Sequence, residues 1–330
     1  MGRYYDDIKD MVVAADDPRA VATARALAAY IHAATARRTR QAYQEDLQRF
    51  LAWGGKIPSS PEAVAAYLAA HGETHAPATL GRWAVSLGKA HTTLGLENPC
   101  KTELVRTTLR GIRRRRGLRQ RRVAPALRDD LIQIARNLGS APRDVRDRAL
   151  MLIGFAGALR RSELVALTTA DVAFSEQGLT LTIRQSKTDQ EGHGHKIGIP
   201  HARGSVCPVQ ALRLWLDGYI YGSADSGSAD SQQTSLPIFR AINKHGQLSP
   251  KPLTAHAVAL IVKQRCAAVG LLPELYSGHS LRAGFCTSAA LMGAPNWKIK
   301  KISRHKTDAM VNLYVRDARL FNDNPLEGMF

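Results

Sequence analysis

Apolar residues recur at helical spacing through the first third of the chain. Tyr43, Leu47, Phe50 and Leu51 fall at i, i+4, i+7 and i+8, one stripe of a helix that begins near Thr39. Ser60-Pro61-Glu62 supplies an N-cap, a first-turn proline and an acid favourable to the helix dipole, so a second helix runs through Val64, Tyr67 and Leu68. A third follows Pro77, with Leu80, Trp83, Leu87 and Leu94 in period. No strand-like alternation interrupts this region.

Beyond Pro125 the pattern is mixed. Leu127, Leu131 and Ile134 suggest an entry helix. The apolar run from Ala149 to Leu159 predicts a buried helix from about Asp147 with Arg160 near its end, and it is too short to cross a hydrocarbon layer that needs about 20 residues. Leu179, Leu181 and Ile183 then alternate with Thr180, Thr182 and Arg184, the period-two sign of a strand with one buried face. Gln185 to Asp189 reads as a polar turn and Lys196 to Pro200 as a return strand, so a β-hairpin presents Lys187. Gly222 to Ser231 is Gly-Ser-Ala-Asp-Ser written twice, part of a flexible insert over 222–235. Helices resume around 254–268, 281–291 and 307–318. The expected fold is mainly α with a small antiparallel β-sheet. Its organisation is a helical domain over 1–118, a basic linker over 119–124 and an α+β domain over 125–330 that closes with a separate segment over 315–330.

Composition sharpens this picture. A length of 330 residues favours about two domains with their own cores. The 46 Lys and Arg against 28 Asp and Glu leave a formal charge of +18, which makes a polyanion the natural partner, nucleic acid ahead of an anionic membrane surface. Between Lys101 and Arg122 lie ten basic residues and one acid, Glu103, half of the whole excess. Arg113, Arg114, Arg115, Arg116, Arg119, Arg121 and Arg122 form either a solvated basic hinge or targeting patch, or a tether lying along phosphates. Arg82 and Lys89 on the third helix are further candidates for DNA contact, against the plain reading of exposed helix charges. Cys100, Cys207, Cys266 and Cys286 make no C-x-x-C pair and read as reduced core thiols. The first residues lack the apolar core of a signal peptide, and a cytoplasmic location is expected. His193-Gly194-His195, with Asp189 and Glu191 nearby, is the nearest approach to a metal motif. A polar hairpin turn rarely fixes such ligands in tetrahedral order, so no metal and no cofactor are expected.

Four separated elements remain to be explained. They are Arg160 in Leu159-Arg160-Arg161-Ser162-Glu163-Leu164, Lys187 in the hairpin, His279-Ser280-Leu281-Arg282, and His305 nine residues before Tyr314. Singly, each has a plain alternative: a salt bridge, a turn lysine, a cap, a surface histidine, a packed tyrosine. In this order they resemble the tyrosine recombinase (phage integrase) family, whose signature is Arg, Lys, His-x-x-Arg, His or Trp, and Tyr. Arg160 to Leu164 looks like the family's Arg-x-Ser-Glu-Leu, and that spacing selects Arg160 over Arg161 as the first catalytic position. The helical first third resembles the core-binding domain that precedes the catalytic domain. One departure stands out. Many members have Leu-Gly-His where this chain has Ser303-Arg304-His305, so either Arg304 adds a phosphate contact or the turn is built less tightly around His305.

The resemblance implies an enzyme that cleaves and rejoins DNA through a 3′-phosphotyrosyl link, and the residue types suit that chemistry. Attack on an anionic phosphodiester needs positive donors where charge develops, a task for Arg160, Arg282 and His305. Tyr314 would be the nucleophile, its ordinary phenol pKa of about 10 overcome by a positive site or by a proton acceptor such as His279. Lys187 would protonate the departing 5′ oxygen, and Glu163 would orient the first arginine. Double-stranded DNA is the implied substrate, held by a homo-oligomer, a tetramer on two sites, with accessory proteins left open. Residues 315–330 would dock on a neighbouring protomer or pack on their own domain. The alternatives are a type IB-like topoisomerase and a non-catalytic DNA-binding regulatory protein.

Overall fold

The structure, a computed structural model, describes residues 35–117, 123–184, 194–221, 235–318 and Leu326. The chain divides into two compact units, Met1–Arg121 and Arg122–Phe330. Lys187, Arg119, Arg121 and Arg122 lie outside the described residues, as do the insert 222–234, His193 and most of the segment after Ala318.

Within the first unit four helices are described: α1 (Arg37–Ala52), α2 (Pro61–Ala70), α3 (Pro77–Thr93) and α4 (Glu103–Arg116). The Ser60 hydroxyl caps α2 by accepting from the Ala63 amide at 3.3 Å, and Pro61 and Pro77 open their helices where a missing N–H costs nothing. Phe50, Val64, Tyr67, Leu68, Leu80, Trp83, Leu87 and Val105 make one core. Each such side chain stabilises by roughly 1.5–3 kcal/mol when fully buried. Three residues of the expected stripes fall outside it: Tyr43 is half-buried, and Leu51 and Leu94 are exposed, the last because α3 ends one residue before it. Helix α4 carries the four consecutive arginines in its last turn, where cations complement the helix dipole, and Gly117 ends it at φ 73.

The second unit begins with α5 (Arg128–Asn137) and α6 (Pro142–Ala156). The apolar helix starts earlier than its hydrophobic run and does not carry Arg160. It stops at Ala156, the chain turns through Gly157 and through Ala158 at φ 44, and Arg160 becomes the residue preceding a new short helix, α7 (Arg161–Ala166). An antiparallel sheet follows in the order β1 (Val172–Ser175), β2 (Gly178–Ile183), β3 (His195–Pro200). Leu179 pairs with Ile199 and Leu181 with Ile197, so the alternating apolar set faces the core. Strand β1 and a second hairpin, β4 (Arg240–Ile242) with β5 (Leu248–Pro252), are additions to the expected hairpin.

Five more helices complete the described unit: α8 (Pro208–Trp215), α9 (Ala255–Ala267), α10 (Ser280–Leu291), α11 (Asn296–Ser303) and α12 (Asp308–Ala318). Helix α10 lies against the strand-like segment before α5, where the Ala126 amide donates to Ser280 O at 3.0 Å. Gly284 permits this approach, because a Cβ there would sit 1.8 Å from Ala126 O. Cys286 and Ala290 of α10, Ile299 of α11 and Val311 of α12 form a small separate core, against which Tyr314 and Val315 pack. Val311, Tyr314 and Val315 share one face of α12 at i, i+3 and i+4, and that face fixes where the phenol can point. Among the described residues no helix is long and apolar enough to cross a membrane. Cys207, Cys266 and Cys286 are buried and Cys100 half-buried, and all four are free thiols.

Candidate active site

Five of the six expected catalytic side chains lie in one cleft of the second unit, and the sixth, Lys187, is in the connection from β2 to β3 outside the described residues. Arg160 precedes α7, and the chemistry of Glu163 explains why it stays there. The Glu163 carboxylate is buried, accepting from the Arg160 amide at 2.9 Å through Oε2 and from Arg160 Nη1 at 2.5 Å through Oε1. Backbone and side chain of Arg160 are thus held by one acid, a charge-assisted pair shielded from water.

Arg282, one turn into α10, is 1% exposed. Its Nη1 donates to Ala158 O at 2.7 Å, across from the positive-φ turn between α6 and α7, while Nη2 has no partner among the described residues. Burial first, then the neighbouring Arg160 and Arg304 charges, pull the Arg282 pKa down to about 10, and Cys286 and Glu163 oppose this. The site is therefore strongly cationic and incompletely neutralised from within.

His279 immediately precedes α10 and is exposed. Its Nε2 lies 3.2 Å from the phenolic oxygen of Tyr314. The protein around the ring, followed by Arg282, Arg160 and Arg161, lowers its pKa below the ordinary value of 6.5. A neutral imidazole at pH 7 can accept the phenolic proton at Nε2 when Nδ1 carries the ring hydrogen. His305 is buried, its ring centroid 5.6 Å from that of Tyr314, and its Nδ1 is 2.8 Å from the Ser303 hydroxyl. Desolvation leads, and Arg282, Arg160, His279 and Arg304 add, so its pKa falls to about 4. Ser303 thereby fixes the His305 ring and leaves Nε2 as its remaining polar atom.

The Ser303-Arg304 departure resolves into a tight turn. Arg304 closes α11 in the left-handed region at φ 57, with its amide bonded to Lys300 O at 2.8 Å. Its guanidinium does not reach outward. It is buried, with Nη2 donating to Glu163 Oε2 at 2.7 Å. Sequence reasoning missed this pair, because 141 positions separate the partners and neither spacing nor composition connects them.

The proposed DNA-contacting residues of the first unit divide. Arg82 is not simply an exposed charge: its Nη2 pairs with the buried Asp46 carboxylate at 3.0 Å, and Ser86 donates to the same carboxylate at 2.7 Å. Arg115 pairs with Glu73 at 3.1 Å, and Arg116 donates to the Glu73 carbonyl. Lys89, Arg113 and Arg114 are exposed.

Comparison with known proteins follows from this geometry. Residues 121–320 match the model of the phage integrase family. An integrase/recombinase xerD homolog of Selenomonas ruminantium is 35% identical over 302 residues, covering 88% of this chain and 85% of that protein. A tyrosine recombinase XerD of Lacticaseibacillus casei is 24% identical over 297 residues, covering 84% and 87%. Among solved structures, a lambda integrase dimer bound to a COC′ core site shares the fold with a TM-score of 0.59 at 16% identity over 98% of both chains. A Tn1549 transposon integrase in complex with a circular intermediate DNA gives 0.59 at 15%, covering 85% of this chain and 90% of that one.

Proposed function

Because the chain belongs to the phage integrase family, and so to the enzymes that cleave and rejoin DNA strands, we propose that the cleft around Tyr314 performs both steps of site-specific recombination. The observation that carries this reading is the phenol of Tyr314 resting 3.2 Å from His279 Nε2, beside the guanidinium groups of Arg160 and Arg282 and the neutral ring of His305.

In this reading Tyr314 Oη attacks the scissile phosphorus as the bond from phosphorus to the 5′ oxygen breaks. The phenolic proton passes to His279, and Lys187 delivers a proton to the departing 5′ oxygen. Arg160, Arg282 and His305 hold the non-bridging oxygens, whose charge grows in the transition state; one such donor is typically worth about 10² to 10³ in rate. The product is a 3′-phosphotyrosyl link and a free 5′-hydroxyl. That link conserves the bond, so a second 5′-hydroxyl can reverse the chemistry on a new partner without ATP. Glu163 holds Arg160 and takes no part in the proton transfers.

Duplex DNA is the substrate, gripped by the exposed basic residues of α4 and by the segment through Arg119, Arg121 and Arg122. The working assembly is a homotetramer on two sites that exchanges strands through a Holliday junction, in the cytoplasm. The names of the relatives and the DNA-bound dimer of lambda integrase support this assembly without fixing its size. The test searches the DNA beside the coding region for paired inverted repeats and places two copies of such a repeat on a supercoiled plasmid. Exchange between the copies, seen as deletion or inversion, is expected. Relaxed topoisomers with no exchanged product would favour a topoisomerase and overturn the recombinase reading.

A further inference from the structure

We propose that Arg304 is a positioning residue for strand cleavage: through Glu163 it locks the turn that carries His305 to the loop that carries Arg160, so that the two groups are held as one unit. This rests on the reading of the cleft as a DNA-cleaving centre.

The backbone of Arg304 makes the choice of residue unusual. At φ 57 a glycine has no Cβ to crowd the carbonyl oxygen and an asparagine can offset that contact by a local hydrogen bond, whereas an arginine has neither advantage. What the arginine gains is a buried partner. Its side chain is 7% exposed, with Nη2 at 2.7 Å from Glu163 Oε2 and at 3.4 Å from Ala158 O. The same carboxylate holds both the amide and the guanidinium of Arg160, and the same carbonyl accepts from Arg282. Arg304 therefore closes a network that joins the start of α7, the end of α11 and the second arginine on α10. Without it, the carboxylate would tie Arg160 to α7 alone, and the His305 turn would lose its side-chain link to the first-arginine loop.

A direct contact with phosphate fits less well. Arg304 Nε and Nη1 are closed off from solvent and have no partner among the described residues, and Nη2 is already committed to Glu163. The guanidinium acts inward, on the groups that would meet the phosphate. One acid is shared by two arginines, which leaves net positive charge in the cleft and costs the Glu163 site little freedom.

The test uses the full-length protein and a nicked suicide duplex that traps the covalent intermediate. Single-turnover adduct formation is measured at saturating protein, and duplex affinity is measured separately in the Tyr314→Phe background. Arg304→Gly and Arg304→Asn both suit the left-handed turn, so thermal melting should find them folded. The proposal expects each to cleave about tenfold or more slowly with an affinity within about twofold of the parent. Arg304→Lys, which keeps a cation for Glu163, should recover part of the rate. Arg304→Gly added to Glu163→Gln should slow cleavage no further than Glu163→Gln does alone. Parent-like rates in the glycine and asparagine variants overturn the proposal and leave the cleavage reading standing. So does a loss of affinity that accounts for the whole loss of rate, or a lysine variant no faster than the glycine one. A parent protein that forms no adduct on its cognate duplex sinks both.

Discussion

Nε2 of His279 and the phenolic oxygen of Tyr314 stand 3.2 Å apart, 35 positions distant in sequence, joining the residue that precedes α10 to the middle of α12. Desolvation first, then the charges of Arg282, Arg160 and Arg161, lower the proton affinity of the imidazole below the ordinary histidine value, so its neutral form dominates at pH 7. Cleavage should therefore lose rate on acidification along a limb centred below 6.5. His279→Asn should cost about 10² to 10⁴ in the cleavage rate constant while leaving duplex affinity nearly intact. Single-turnover rates across pH check both, and an acid limb centred above 6.5 would contradict the assignment of the base.

His305 makes a separate prediction about stability. Its folded-state pKa is near 4 against about 6.5 in the unfolded chain, so the unfolded state binds more protons between those values. The stability that His305 contributes is present above pH 6.5 and is lost as pH falls toward 4, on the order of 3 kcal/mol in all. Denaturant midpoints compared between the parent and His305→Asn should converge with acidification through this window. Parallel curves would mean that His305 is not buried as a neutral ring.

Arg282 is held in its charged form at a cost to folding. Burial and its cationic neighbours bring its pKa down to about 10, so replacing it by a neutral side chain of similar length relieves repulsion even as it removes a bond to Ala158 O. Arg282→Met should lose roughly 10² or more in adduct formation and yet melt at or above the temperature of the parent protein. A large drop in melting temperature would recast Arg282 as chiefly structural.

The basic residues of the first unit should separate by the partners they already have. Arg82 forms an ion pair with the buried Asp46, so Arg82→Ala should destabilise the protein by about 1 kcal/mol with little change in DNA affinity well below the melting temperature. Arg113→Ala and Arg114→Ala should do the reverse. If each arginine contacts one phosphate, each loss flattens the slope of log affinity against log salt by about 0.9. Anisotropy titrations at several salt concentrations, set beside melting curves, distinguish the two classes.

Much of this arrangement was legible before any coordinates. Ser60-Pro61 marks a helix start, the alternation from Leu179 to Ile183 marks a core-facing strand, and the family resemblance marks Arg160, His279, Arg282, His305 and Tyr314 as a set that the fold brings together, with Lys187 outside the described residues. What escaped had physical reasons. Strands β1 and β4 span four and three residues, too few for a period to register, and β5 contains Pro250 and Pro252, which argue against a strand. The apolar run into Leu159 hid the break at Gly157 and Ala158, since hydrophobicity continues through a turn that is itself buried. The link from Arg304 to Glu163 exists only in three dimensions, and the ion pair of the exposed Arg82 escaped because its acid, Asp46, sits on another helix.

The central claim is that one cationic cleft directs the oxygen of Tyr314 onto a phosphodiester. Its most direct measurement is the identity of the residue that becomes attached to DNA. The covalent adduct from a suicide duplex, digested and sequenced by mass spectrometry, should carry a 3′-phosphoryl nucleotide on the peptide containing Tyr314, and the released strand should end in a 5′-hydroxyl. A nucleotide on any other residue, or a link through a 5′-phosphate, would contradict the account.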